Sequence, residues 1–125
     1  MSYKNILLID DDSEDTDVFL EAVNSLDKNI NCLVQNNPVQ ALEYLKNLEI
    51  LPDLIFVDFN MPVLNGNELI GRMREVVRLQ AIPVILYSSY SETAADRLFI
   101  INDSQYITKP SNFNELVAVL KEILE

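Results

Sequence analysis

Asp58 closes the run Asp53-Leu54-Ile55-Phe56-Val57-Asp58, whose continuous apolar stretch suits a strand buried on both faces. A carboxylate at such a strand end is costly unless a counter-charge or hydrogen-bond donors meet it. Two further acids, Asp10 and Asp11, end the run Ile6-Leu7-Leu8-Ile9, and Lys109 follows Gln105-Tyr106-Ile107-Thr108. If these runs are parallel neighbours, three acids and one lysine meet at one sheet edge. At about 4 Å and an effective dielectric of about 20, each carboxylate pair repels by on the order of 4 kcal/mol, more than Lys109 alone offsets. A divalent cation is the natural complement. The chain has no histidine and one cysteine, so the ligands are oxygens, which favours magnesium or calcium over zinc. Too few ligands converge to cage calcium, whereas magnesium keeps several waters and commonly bridges to a phosphate.

The elements that must position these groups alternate along the chain. Strands are expected at residues 5 to 10, 31 to 35, 53 to 58, 83 to 88 and 105 to 108. Between them, Val18, Phe19, Ala22, Val23 and Leu26 form one helical apolar stripe, Leu42, Leu45 and Leu48 another, and Phe113, Leu116, Val117, Leu120 and Leu124 the clearest. Helix starts are marked by Asn37 with Pro38, by Asn65-Gly66, by Ser91 with Glu92, and by Ser111 or Asn112. Asp12 is expected to cap a helix or stand in solvent. Five strand-then-helix repeats imply an α/β fold, a doubly wound parallel sheet with helices on both faces. Ligands of such sheets sit beyond the carboxyl ends of the strands, where Asp10, Asp11, Asp58, Ser88 and Lys109 all fall.

Composition sets the outer bounds. The 125 residues, 49% hydrophobic and 23% charged, suit a single globular domain spanning 1–125 with no effector domain. A formal net charge of −11 argues against nucleic acid or an anionic membrane as partner and favours cations or basic protein surfaces. Cys32 has no second cysteine to pair with and is expected to be a buried apolar residue without redox role; this suits a reducing, cytoplasmic setting. No apolar stretch approaches the roughly 20 residues of a membrane helix, and the start of the chain is unlike a signal peptide.

Together these residues resemble the receiver domains of two-component response regulators, the CheY-like single-domain type. The resemblance covers essentially the whole chain. It is carried by Ile9-Asp10-Asp11-Asp12, Pro52-Asp53-Leu54, Val57-Asp58, Met61-Pro62 through Asn65-Gly66, Pro83-Val84-Ile85 leading to Ser88, and Tyr106-Ile107-Thr108-Lys109-Pro110. It implies a flavodoxin-like (βα)5 fold with strand order 2-1-3-4-5. It implies that Asp58 accepts a phosphoryl group from a histidine kinase or histidine phosphotransferase, with Mg2+ held by Asp11, Asp58 and the backbone carbonyl of Asn60, and with Asp10 acting through water. Lys109 and Ser88 would contact the phosphoryl group, and a cis peptide bond before Pro110 would aim the lysine. Ser88 and Tyr106 would be the switch pair whose movement remodels an output face for a downstream protein partner. Such a protein is a signalling phosphoprotein and no enzyme in the ordinary sense, although it assists its own phosphorylation and dephosphorylation.

Other readings compete. A flavin carrier of the same architecture needs a glycine- and hydroxyl-rich phosphate loop where this chain has Asp10-Asp11-Asp12-Ser13-Glu14-Asp15. An aspartyl-phosphate phosphatase needs a second acid where Asn60 stands. A calcium loop starting at Asp10 would require glycine where Asp15 stands. The remaining alternative is a pseudo-receiver that binds proteins without phosphorylation. Asn60 and Tyr90 occupy the positions that tune phosphoryl lifetime in the family, and the bulk of Tyr90 is expected to shield the group from water. The four consecutive apolar residues Leu98-Phe99-Ile100-Ile101 exceed what one helix face can bury and are expected to join a self-association or partner surface. Phosphoryl lifetime in Tyr90→Ala and dimer strength in Phe99→Glu test these two expectations.

Overall fold

Ile6, Leu7, Leu8 and Ile9 are all fully buried, which a strand achieves only when both faces of its sheet are covered. In the computed structural model this run forms β1 (Asn5–Ile9), followed by α1 (Ser13–Asn24), β2 (Asn31–Gln35), α2 (Pro38–Asn47) and β3 (Leu54–Asp58). The chain continues through α3 (Gly66–Arg74), a short 3-10 turn (Val77–Leu79), β4 (Val84–Ser88), β5 (Ser104–Thr108) and α4 (Phe113–Leu124). The structure describes residues 3–26, 29–59, 61, 64–88, 104–110 and 112–124. The expected helix start at Ser91 and Glu92 and the apolar run Leu98 to Ile101 lie outside the described residues.

All five strands pair in parallel, in the order β2-β1-β3-β4-β5. Alternate strand residues feed two cores. Leu7, Ile9, Ile55, Val57, Val84 and Leu86 face Ala41 and Leu45 of α2 and Leu69, Ile70 and Met73 of α3. Ile6, Leu8, Leu54, Phe56, Ile85 and Tyr87 face Phe19, Ala22 and Val23 of α1 and Leu116, Leu120 and Leu124 of α4. At roughly 1.5–3 kcal/mol for each fully buried aliphatic or aromatic side chain, these layers dominate the stability of the domain. The expected stripes hold for Phe19, Ala22, Val23, Leu45, Leu116, Leu120 and Leu124; Leu42 and Val117 are half-buried, Leu26 and Leu48 lie just past their helices, and Val18 and Phe113 are 43% and 38% exposed.

Local chemistry starts each described helix. Asp12 accepts from the N–H groups of Glu14 and Asp15 at the head of α1, and Asn37 from those of Val39 and Gln40, with Pro38 at the first helical position. Asn65 accepts from Glu68 N–H and Asn112 from Glu115 N–H. Each such cap contributes about 1 kcal/mol. The expected strand bounds need small shifts: Asp10, Asp53 and Pro83 fall just outside their strands, and Ser104 falls inside β5. Among the described residues no helix is long and apolar enough to cross a membrane.

Candidate functional site

The sheet order creates the site. From β1 the chain steps to one side to form β2, then crosses to the other side to form β3, so the connections leaving β1 and β3 diverge and open a crevice at their carboxyl ends. Ile9 lies opposite Val57, and one step further the register brings Asp10 level with Asp58. Asp10, Asp11 and Asp58 each offer a carboxylate oxygen within 4.8 Å of the others. Asp10 is fully buried and Asp58 is 5% exposed, whereas Asp11 reaches solvent.

Lys109, leaving the end of β5, extends into this cluster. Its Nζ lies 2.8 Å from Asp15 Oδ2, 3.2 Å from Asp10 Oδ2 and 3.7 Å from Asp58 Oδ1. The ammonium also stands 5.1 Å from the centroid of the Tyr87 ring, in cation–π range. Tyr87 is itself packed edge-on against Phe19, whose ring in turn meets Phe56, so the floor beneath the lysine is an aromatic cluster. Among the described residues there is no cis peptide bond, so the cis bond expected before Pro110 is absent and Lys109 reaches the carboxylates over a trans bond.

Charge and burial pull in opposite directions here. Burial pushes the Asp10 carboxyl above its ordinary range, against the Asp12 N–H and the Lys109 ammonium, which favour the ionised form. Burial acts to lower Lys109, but the Asp15 hydrogen bond and the charges of Asp10 and Asp58 outweigh it, and the ammonium is held above its ordinary value. Burial also raises the Tyr87 phenol to about 12 and the Cys32 thiol to about 12. Cys32 is half-buried and not fully buried as expected, because it stands on the edge strand β2.

Gly66 fits the first residue of α3 tightly onto the end of β3. A Cβ there would lie 2.6 Å from the carbonyl oxygen of Asp58 and 2.9 Å from Leu86 Cδ2, closer than any side chain tolerates. The Gly66 N–H donates to the Phe59 carbonyl at 3.0 Å, closing the turn beside the site. Opposite, Asn36 beyond β2 donates its Nδ2 to the Asp10 carbonyl at 2.8 Å.

Asp10, Asp11, Asp58 and Lys109 are thus brought together as their spacing suggests. Ser88 ends β4, with its backbone paired to Thr108, and Tyr106 lies within β5 opposite Leu86. The side chains of Ser88 and Tyr106, together with Asn60 and Tyr90, lie outside the described residues. Asp15, Tyr87 and Asn36 are contributors that sequence reasoning missed. A signal for Asp15 existed: it follows the helix-capping Asp12 by three residues, which places it in the first turn of α1 beside the strand ends. Tyr87 and Asn36 enter through cross-strand register, which no local pattern encodes.

A cluster of one nearly buried strand-end carboxylate, two flanking acids and a lysine has the oxygen donors that a divalent cation takes. The family model for the response regulator receiver domain matches residues 6–121. The sensor histidine kinase CheAY of Helicobacter pylori is 31% identical over 122 residues, 96% of this chain and 15% of that protein. The probable transcriptional regulator ycf29 of Pyropia yezoensis is 29% identical over 126 residues, 99% of this chain and 54% of that protein. This chain therefore spans only part of either curated relative. The crystal structure of the phosphorylated cyanobacterial phytochrome response regulator RcpA superposes with a TM-score of 0.81 at 25% identity, over 98% of this chain and 91% of that one. Because the family match runs unbroken from β1 into α4, through both strands that carry the acid cluster, the chain belongs to the response regulator receiver domain family.

Proposed function

We propose that residues 1–125 act as one receiver unit in which Asp58 accepts a phosphoryl group from a histidine kinase or histidine phosphotransferase. The observation that carries this reading is the nearly buried Asp58 carboxylate, with oxygens of Asp10 and Asp11 within 4.8 Å and the Lys109 ammonium at 3.7 Å. In the transfer, an Asp58 carboxylate oxygen forms a bond to phosphorus as the phosphorus–nitrogen bond of a phosphohistidine breaks and imidazole leaves. Little covalent help is needed from the protein in such a step; positioning and charge neutralisation dominate.

The all-oxygen donor set fits magnesium, which Asp11, Asp58 and the Asn60 carbonyl would hold, with Asp10 acting through water. When bound, the metal would neutralise charge on the transferring group. Lys109 supplies the protein's own positive charge beside Asp58, with the Tyr87 ring 5.1 Å from the ammonium. Ser88 at the end of β4 and Tyr106 on the neighbouring strand are the pair through which the phosphoryl group would shift the output face toward a downstream protein. The acidic surface and the unpaired cysteine favour a cytoplasmic setting and a basic protein partner.

Intact-mass measurement after incubation with Mg2+ and phosphoramidate, beside Asp58→Ala, tests the proposal. A gain of one phosphoryl group that requires Mg2+ and vanishes in the variant is expected. Folded protein that gains none, even with a cognate kinase, points to phosphorylation-independent protein binding.

A further inference from the structure

Lys109 is hydrogen-bonded toward α1 and away from the nucleophile. Its Nζ donates to Asp15 Oδ2 at 2.8 Å and to Asp10 Oδ2 at 3.2 Å, whereas Asp58 Oδ1 stands at 3.7 Å, an ion-pair distance beyond a hydrogen bond. Asp15 is set in that position by its helix. Asp12 caps α1 by accepting from the Glu14 and Asp15 N–H groups, which fixes the first turn beside the strand ends. The Tyr87 ring, 5.1 Å from Nζ, limits where the ammonium can go.

The carboxylates holding Lys109 differ in how readily they let go. Asp10 is fully buried and would be left in low dielectric without its partner, whereas the Asp15 side chain is 46% exposed and water can replace the lysine there. A phosphoryl group on Asp58 adds negative charge and acceptor oxygens, which compete for the same ammonium. We infer that Asp15 is a positioning residue, a latch that holds Lys109 against α1 in the unphosphorylated protein and releases it as a phosphoryl group forms on Asp58, so that Asp15 restrains the phosphorylation rate. The inference rests on the phosphoacceptor reading of Asp58. A second effect has the same sign: the Asp15 charge repels an anionic phosphodonor approaching the cluster.

The test compares wild type, Asp15→Asn and Asp15→Glu, all verified as folded by thermal unfolding, with Asp58→Ala as the control for the acceptor. Asn keeps the shape of Asp15 without its charge, and Glu keeps the charge. Two quantities are read: the NMR signal of the Lys109 ammonium nitrogen in metal-free protein without donor, and the rate of phosphorylation by phosphoramidate with Mg2+. The ammonium signal is expected to shift in Asp15→Asn and to remain near wild type in Asp15→Glu. Phosphorylation is expected to be about fivefold faster in Asp15→Asn and within about twofold of wild type in Asp15→Glu. An unshifted ammonium signal in Asp15→Asn overturns the latch. Wild-type phosphorylation at a rate that Asp15→Asn leaves unchanged or slows overturns this inference alone. Absence of any phosphoryl transfer to wild type overturns the phosphoacceptor reading and this one with it.

Discussion

Asp53 and Asp58 flank the same strand, yet the sheet treats them in opposite ways. Asp53, just before β3, accepts the backbone N–H groups of Lys4 and Asn5 at 2.9 and 3.0 Å and ties the start of β3 to the start of β1. Asp58, at the far end, is nearly buried among Asp10, Asp11 and Lys109. The polarity of a parallel sheet accounts for the difference. Strand starts present unpaired N–H groups, natural donors for a carboxylate, whereas strand ends present carbonyls and here two more acids. An acid at the first edge is satisfied and structural. At the second, three carboxylates share one ammonium, a setting whose excess negative charge suits a divalent cation.

The sharpest way to break this contrast is to neutralise each acid in turn. Asp58→Asn is expected to abolish phosphoryl uptake while leaving stability unchanged or slightly higher, because a repelling charge is removed. Asp53→Ala should leave uptake at the wild-type rate and cost about 1 kcal/mol, since two solvent-accessible N–H groups lose their acceptor. Mass spectrometry and urea unfolding read the two effects, and equal behaviour of the two variants would erase the distinction between the edges.

Lys109→Met sharpens the comparison from the cation's side. It is expected to slow phosphorylation about 100-fold and to destabilise the metal-free protein by about 3 kcal/mol, because buried Asp10 loses its partner. Added Mg2+ should recover part of that stability by binding the native state only. A variant as stable and as reactive as wild type would show that Lys109 does not neutralise the cluster.

The smallest effect lies in alkali. The Tyr87 phenol has a pKa of about 12 in the fold against an ordinary 10.0, so the unfolded chain releases that proton first and stability falls as pH rises through this window. Lys109, raised above its ordinary 10.5, acts in the same direction: its contribution is complete below that value and is lost as pH climbs past it. Unfolding measured from pH 10 to 12 should therefore show falling stability, with a shallower fall in Tyr87→Phe. No difference in slope would mean that the phenol ionises equally well in the fold.

Much of the framework was legible because it is local. Ile6 to Ile9 and Leu54 to Val57 are apolar without interruption, which only a doubly covered strand can use. Asn37, Asn65 and Asn112 stand directly before their helices and cap them through bonds two or three residues long. The acids Asp10, Asp11 and Asp58 were legible as a group because strand ends of a parallel sheet share one edge. Asp15 was harder to read, since its partner Lys109 lies 94 residues away, and Tyr87 came under the lysine only through the pairing of β3, β4 and β5.

The sequence by itself determined the alternation of strands and helices and the edge at which the acids gather, because both follow from residue type and short-range period. Only the tertiary structure decided how the charges pair. It set Lys109 closer to Asp15 and Asp10 than to Asp58 and brought α3 so close to β3 that position 66 has no room for a side chain. The reason is that charge pairing and close approach depend on distances of a few ångströms between segments far apart in the chain, and those distances exist only once the sheet is assembled.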